Sequence, residues 1–255
     1  MTEKEQFPPC FNFVSRSQRI VYRDGLRDWE IREEALRRPA SETAFIIVDM
    51  WDRHWSSGAS RRCALLAEKI NETAARAREK GSLVVHAPSG VMDFYQGTEG
   101  RGRFLAAEDA GPASEPVPVK DHPLPIDDSD GGSDSADQYP PNTRVWKRQS
   151  EKISIDHSRD LVCGDEGARL HSALASRGIK LLIYAGVHTN MCVLNRSFGI
   201  KNMLRRGYDT LLVRDLTDGM YNPERPPYVS HGEGVGLVVA YIEKFYCPTI
   251  DSAQI

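Results

Sequence analysis

No pair of cysteines in this 255-residue chain has CxxC spacing, and their number, five, is odd. That excludes a disulfide framework and a zinc ribbon as organising principles. A reducing cytoplasm is the expected compartment. No apolar run approaches the roughly 18 residues that a membrane span requires. The opening stretch MTEKEQFPPC is polar and lacks the apolar core of a signal peptide. The net charge is only -3, without a basic block, so a nucleic-acid partner is not expected. No Lys/Arg-rich amphipathic helix points to a membrane surface. There is no internal repeat either.

What the chain does contain is an alternation of apolar strands and amphipathic helices. Residues 1–42 are polar and arginine-rich and read as an N-terminal extension packed on the main domain, with Phe11 to Tyr22 pairing as strands with Trp29 to Ile31. Ala44 to Val48 is a short apolar run of the kind buried on both faces of a sheet. Residues 60–80 carry Leu65, Leu66, Ile70 and Ala74 at helical spacing, with Gly81 as the stop. Leu83 to Val85 is a second buried strand, and 99–110 suit a short helix. Val145–Trp146 reads as a further β segment. Then follow a helix near 165–177, a strand at 180–185, a helix over 191–206, a strand at 210–213 and a helix over 231–245. This order predicts an α/β domain over 43–247, with one parallel sheet covered on both faces. A tail occupies 248–255. Residues 111–142, including DDSDGGSDSADQYPP, interrupt the pattern as an acidic, Pro/Gly/Ser-rich insertion expected to be solvated. It precedes Lys147 and can border whatever that residue does.

Three residue types stand at predicted strand ends: Asp49, Lys147 and Cys192. Ligands in parallel sheets gather at that edge. Each residue also has an ordinary explanation. Asp49 can cap a turn, Lys147 sits in the charge run WKRQSEK, and a free cysteine is usually a small core residue. Together they suit nucleophilic catalysis. An unperturbed thiol has a pKa of ~8.5 and must lose its proton to attack an amide carbonyl. An ammonium at ~4 Å favours the thiolate by about 4 kcal/mol at an effective dielectric of ~20. A neighbouring carboxylate does the reverse, so Asp49 is better cast as the base that takes the thiol proton and returns it to the leaving nitrogen. Backbone amides at the helix start would hold the oxyanion.

The segments IIVDMWDRHW, RVWKRQS and YAGVHTNMCVLNRSF resemble the three motifs of the isochorismatase-like cysteine hydrolases, a group that includes nicotinamidases and N-carbamoylsarcosine amidohydrolase. The resemblance covers roughly Ala44 to Tyr246. It implies a three-layer αβα, Rossmann-like fold with a six-stranded parallel sheet. It casts Asp49, Lys147 and Cys192 as the catalytic triad. It also implies a cis Val187–His188 peptide, with the His188 and Cys192 N–H groups as oxyanion donors. The implied activity is hydrolysis of a small amide or carbamoyl C–N bond through a thioester, without a cofactor. A homo-oligomer, dimer or tetramer, is also implied.

The sequence departs from the family pattern in places. Trp51 stands where many members have glutamine, and His188 where many have a small residue. His86 follows the second strand, but the Asp-x-His pair of zinc-bearing members does not, so no metal is expected. Trp51, His54, His86 and Tyr221 are candidate substrate contacts. Two other functions fit the same fold. One is vinyl-ether cleavage of the isochorismate type, which Cys192 disfavours. The other is a non-enzymatic scaffold, which the three residues together disfavour.

Overall fold

The computed structural model describes residues 8–111 and 116–255. Residues 1–7 of the N-terminal extension and 112–115 of the insertion lie outside the described residues.

The sheet is built around β3 (Thr43–Val48), all six residues of which are buried. Apolar and β-branched side chains on both faces make this run stable only between two covering layers. It runs parallel to β4 (Leu83–Ala87) on one side and β6 (Leu181–Val187) on the other. Short β5 (Leu161–Val162) follows β4, while β7 (Asp209–Asp218) and β8 (Thr249–Ile250) continue beyond β6. These six strands are parallel, but the sheet is larger than the six strands expected. A hairpin of β1 (Cys10–Arg23) and β2 (Leu26–Pro39) adds an antiparallel edge, giving eight strands in the order β2-β1-β8-β7-β6-β3-β4-β5. Asp24 and Gly25 turn this hairpin with φ of 49° and 80°, the left-handed pair that a two-residue connection demands. Only Arg16 of β1 pairs with β8, through Thr249, so the tip of the hairpin extends past the parallel sheet.

Helices cover both faces. On one, α1 (Ser57–Glu79) packs Ala67, Ile70 and Ala74 against Phe45, Ile47 and Ile183. On the other, α4 (Gly167–Ala175), α5 (Ile200–Arg205) and α6 (His231–Phe245) pack against Ile46, Val48, Leu182 and Leu212. Two short helices, α2 (Met92–Tyr95) and α3 (Glu99–Leu105), follow β4.

Three expectations fail locally. The helix expected over 191–206 is divided into a π-helical turn at Thr189–Val193 and α5. Between them the Asp165 carboxylate accepts bonds from the Ser197 N–H and hydroxyl at 2.8 and 2.6 Å. The Phe198 carbonyl accepts from the Tyr184 hydroxyl at 2.7 Å. These competing partners take the backbone out of the helical path. Val145–Trp146 is not a strand of the sheet: the segment meets the body through an isolated bridge between Trp51 and Gln149, and the edge position belongs to β5. The acidic insertion is docked rather than merely solvated. Asp137 and Ser135 accept from the Ser57 and Gly58 N–H groups at 2.8 Å each, capping α1, and Asp134 pairs with Arg62 at 2.7 Å. Gly132 lies so close to Met220 that a Cβ would collide with its backbone.

Among the described residues, no helix is long and apolar enough to cross a membrane.

Candidate active site

Asp49 is the first residue past β3, fully buried and held at φ 44°, a left-handed conformation that few non-glycine residues adopt. The bend aims its carboxylate at the end of β4, where the Ser89 N–H donates to Oδ1 at 2.7 Å. Arg196 Nε donates to Oδ2 at 3.1 Å. The Cys192 thiol lies beside the same carboxylate, close enough for the Asp49 charge to act on it. Asp49 therefore has a thiol, an amide and a guanidinium around it, out of contact with water.

Electrostatics follow from that burial. Desolvation raises the Asp49 pKa above its ordinary value, opposed by Arg196, by the Cys192 thiol beside it and by the hydrogen bond from Ser89. Desolvation also pushes the Cys192 thiol well up, and the Asp49 charge adds to that, while Arg196 and the His188 backbone N–H pull it down. Burial thus favours the protonated thiol over the thiolate in the resting site. Burial alone would lower the Arg196 pKa, but the charge and hydrogen bond of Asp49, with the charge of Asp165, outweigh it and keep the guanidinium cationic.

The nucleophile turn is fixed from beneath. Gly186 has φ 113°, and a Cβ there would run into the backbone of Val48 on the neighbouring strand. The Val187–His188 peptide is cis. The His188 carbonyl accepts from the N–H groups of Met191 and Val193 at 3.0 and 3.2 Å. Thr189 and Thr217 share a hydroxyl hydrogen bond of 2.7 Å, and Thr217 donates to the Gly186 carbonyl at 2.8 Å, tying the turn to β7. Asn190 is clamped by Met220, donating to its carbonyl at 3.0 Å and accepting from its N–H at 2.9 Å.

The structure brings Asp49, Cys192 and His188 together. Lys147 is placed differently: it is solvent-exposed, its N–H donates to Asp52 Oδ1 at 3.0 Å, and its ammonium makes no ion pair among the described residues. Its segment is not a strand of the sheet, so it does not present its side chain at the shared edge. The cation on Asp49 is Arg196. Sequence reasoning missed it, although its position four residues after Cys192 on a helical turn was a usable signal.

The other candidates divide. Trp51 is buried, donates from Nε1 to the Ser89 carbonyl at 3.1 Å, and stacks on Trp146 with ring centroids 4.3 Å apart. Both Trp146 and Cys192 pack against the cluster that contains Trp51. His54 stacks on Trp146 at 5.7 Å and meets His188 edge-on at 4.9 Å. Burial lowers its pKa to about 4 and that of His188 to about 3, so both rings are neutral near pH 7. Ser89 Oγ, Trp146 Nε1 and His188 Nε2 are buried around this aromatic wall with no protein partner. His86 and Tyr221 sit elsewhere. His86 lies 3.0 Å from both Gln149 Oε1 and Asp160 Oδ2, so both ring nitrogens are engaged within the protein and neither is free for a metal. Tyr221 is buried and donates to the Arg225 carbonyl at 2.8 Å, bracing the loop after β7. Among the described residues, no group of three or more His, Cys, Asp or Glu side chains converges as a metal site.

Solvent reaches this region through an open cleft of about 470 Å³, lined by Leu124, Asp128, Asp165, Asn190, Met191, Cys192, Asn195 and Arg196. A cysteine beside a buried carboxylate, at the carboxyl edge of a parallel sheet between two helical layers, is consistent with an isochorismatase-like cysteine hydrolase. The isochorismatase domain matches residues 43–225, and the chain belongs to that family. A cysteine hydrolase from Pseudomonas syringae is similar in structure, with a TM-score of 0.54 and 18% identity, covering 85% of this chain and 92% of the other. An isochorismatase from Pseudomonas putida has a TM-score of 0.51 and 14% identity, covering 85% and 91%. At such identities the likeness establishes the fold. No curated protein matches the chain in sequence.

Proposed function

We propose that the protein hydrolyses a C–N bond of a small amide or carbamoyl compound through a thioester on Cys192. The observation that carries this reading is the placement of Cys192, at the mouth of a cleft, beside the buried Asp49–Arg196 pair. In the resting site the thiol keeps its proton, so attack and deprotonation are concerted. Sulfur bonds to the carbonyl carbon while Asp49 takes the thiol proton. Asp49 then returns that proton to the leaving nitrogen as the C–N bond breaks, and water resolves the thioester by the same exchange. The raised pKa of Asp49 suits it to both directions. Arg196 keeps enough negative charge on Asp49 for it to act as a base. The His188 and Cys192 N–H groups serve the developing oxyanion. Lys147 belongs to the same motif by resemblance; its exposed side chain makes no ion pair with Asp49. The chemistry as proposed needs no cofactor. Ammonia release across a panel of primary amides and ureides tests the reading, with native protein compared with Cys192→Ala. Release by the native protein alone is expected. Equal release by both, or release by neither, overturns it.

A further inference from the structure

The cleft in front of Cys192 is walled on one side by the nucleophile turn and on the other by the acidic insertion, through Leu124 and Asp128. Asp128 is fixed there: Asn190 Nδ2, two residues before the nucleophile, donates to its Oδ2 at 2.8 Å. The charges in the cleft are unequally compensated. Arg196 is shared between two carboxylates, Asp49 at 3.1 Å and Asp165 at 3.3 Å, so none of its single positive charge is left for Asp128. Other insertion carboxylates are used structurally. Asp127 pairs with Arg225 at 2.6 Å, Asp134 with Arg62 at 2.7 Å, and Asp137 caps α1. Asp128 meets no cation among the described residues, and its partner Asn190 is neutral.

We infer that Asp128 is a specificity-determining residue of this site and that the substrate carries a cationic group, an ammonium, amidinium or guanidinium, beside the reacting carbonyl. The inference rests on the proposed role of Cys192 but deepens it from amides in general to cationic ones. A neutral substrate would leave the Asp128 charge unpaired beside the thiol, and an anionic one would meet repulsion. The acidic insertion thereby has a role in selection, since it carries the discriminating charge to the thiol.

The test does not require knowing the substrate. Two methanethiosulfonates that differ only in their charged tail, trimethylammonioethyl and sulfonatoethyl, are reacted with the full chain. Modification of Cys192 is followed by peptide mapping. Sulfur attacks the thiosulfonate, a mixed disulfide forms, sulfinate leaves, and the thiol proton passes to Asp49 and solvent. Each rate is normalised to that of the same reagent with a small free thiol. A unit charge pair at ~7 Å and an effective dielectric of ~40 changes a rate about sevenfold. The two reagents carry opposite charges, so the cationic one should be favoured by up to about fiftyfold over the anionic one in native protein at low salt. Asp128→Asn should remove most of that preference, while Asp130→Asn, whose side chain holds Asn222 away from the cleft, should keep it. A preference for the anionic reagent overturns the inference, as does a native preference unchanged by Asp128→Asn, or no reaction of Cys192 with either reagent. A second arm compares kcat/KM for β-alaninamide and butyramide, a cationic amide and its neutral analogue. If neither is hydrolysed while the reagent preference holds, the hydrolase reading fails and the charge selection stands.

Discussion

Arg196 is the residue whose removal most sharply distinguishes this site from one driven by a thiolate ion pair. Its Nε is 3.1 Å from Asp49 Oδ2, and its side chain is 30% exposed against 0% for Asp49. At ~4 Å and an effective dielectric of ~20 the pair is worth at most about 4 kcal/mol, or roughly three pKa units. Partial exposure of the guanidinium reduces that to about one or two units. Asp49 already has a raised pKa because burial outweighs its partners. In Arg196→Met it should rise further, so that the base is protonated over more of the neutral range. A raised folded-state pKa means that the charged form is lost as pH falls through it. The acid limb of kcat/KM should therefore move to higher pH, and turnover on that limb should fall by about ten- to a hundredfold. Lys147→Met should leave that limb within about 0.3 units, because the ammonium lies outside the contact shell of Asp49. The assay is a pH–rate profile of all three proteins on one amide, with iodoacetamide alkylation of Cys192 as an independent readout. In native protein, alkylation should keep rising with pH through the alkaline range, since the thiol pKa is raised. If Lys147→Met shifts the limb and Arg196→Met does not, the assignment of the cation is wrong.

Three further outcomes are expected. Gly186→Ala should destabilise the fold by about 2–4 kcal/mol in denaturant titration, because a Cβ there meets the Val48 backbone at a positive φ; full native stability would contradict the register of β3 and β6. Burial tends to raise the Asp160 carboxyl, but hydrogen bonds and charge from His86 and Arg78 outweigh it and hold the pKa below its ordinary value. Asp160 thus contributes stability above its unfolded pKa that is lost as pH falls through the depressed value, and Asp160→Asn should cost about 3–5 kcal/mol at pH 7 and flatten acid unfolding; an unchanged acid transition would sink this. Homo-oligomerisation should be visible by light scattering at micromolar concentration, with the hairpin tip, which exposes Ile20, Tyr22, Leu26 and Ile31, as the contact; a monomer, or an assembly unaffected by Ile20→Glu with Ile31→Glu, defeats it.

The parallel core was legible because its strands are continuous apolar runs and its helices keep a 3.6-residue period. Asp49 and Cys192 were legible for a related reason: Asp49 follows such a run directly, and Cys192 follows one by a tight turn. Lys147 had no such guide. The segment before it looks β-like but is held by Trp51 and Gln149 rather than by the sheet, so neighbouring sequence does not fix its direction. Arg196 was hidden by the turn between Cys192 and α5, which depends on Asp165 and Tyr184, residues distant in sequence. The hairpin edge went uncounted because β1 and β2 are charged and mostly exposed, and pairing alone defines them.

The central claim is that Cys192 forms a thioester while Asp49 carries its proton. Acid quenching during turnover of a hydrolysed amide, followed by peptide mass mapping, tests it most directly. The account predicts the substrate's acyl mass on the Cys192 peptide alone, released by hydroxylamine and absent from Cys192→Ala. Turnover with no adduct on Cys192 in native protein, and continued turnover by Cys192→Ala, would contradict it.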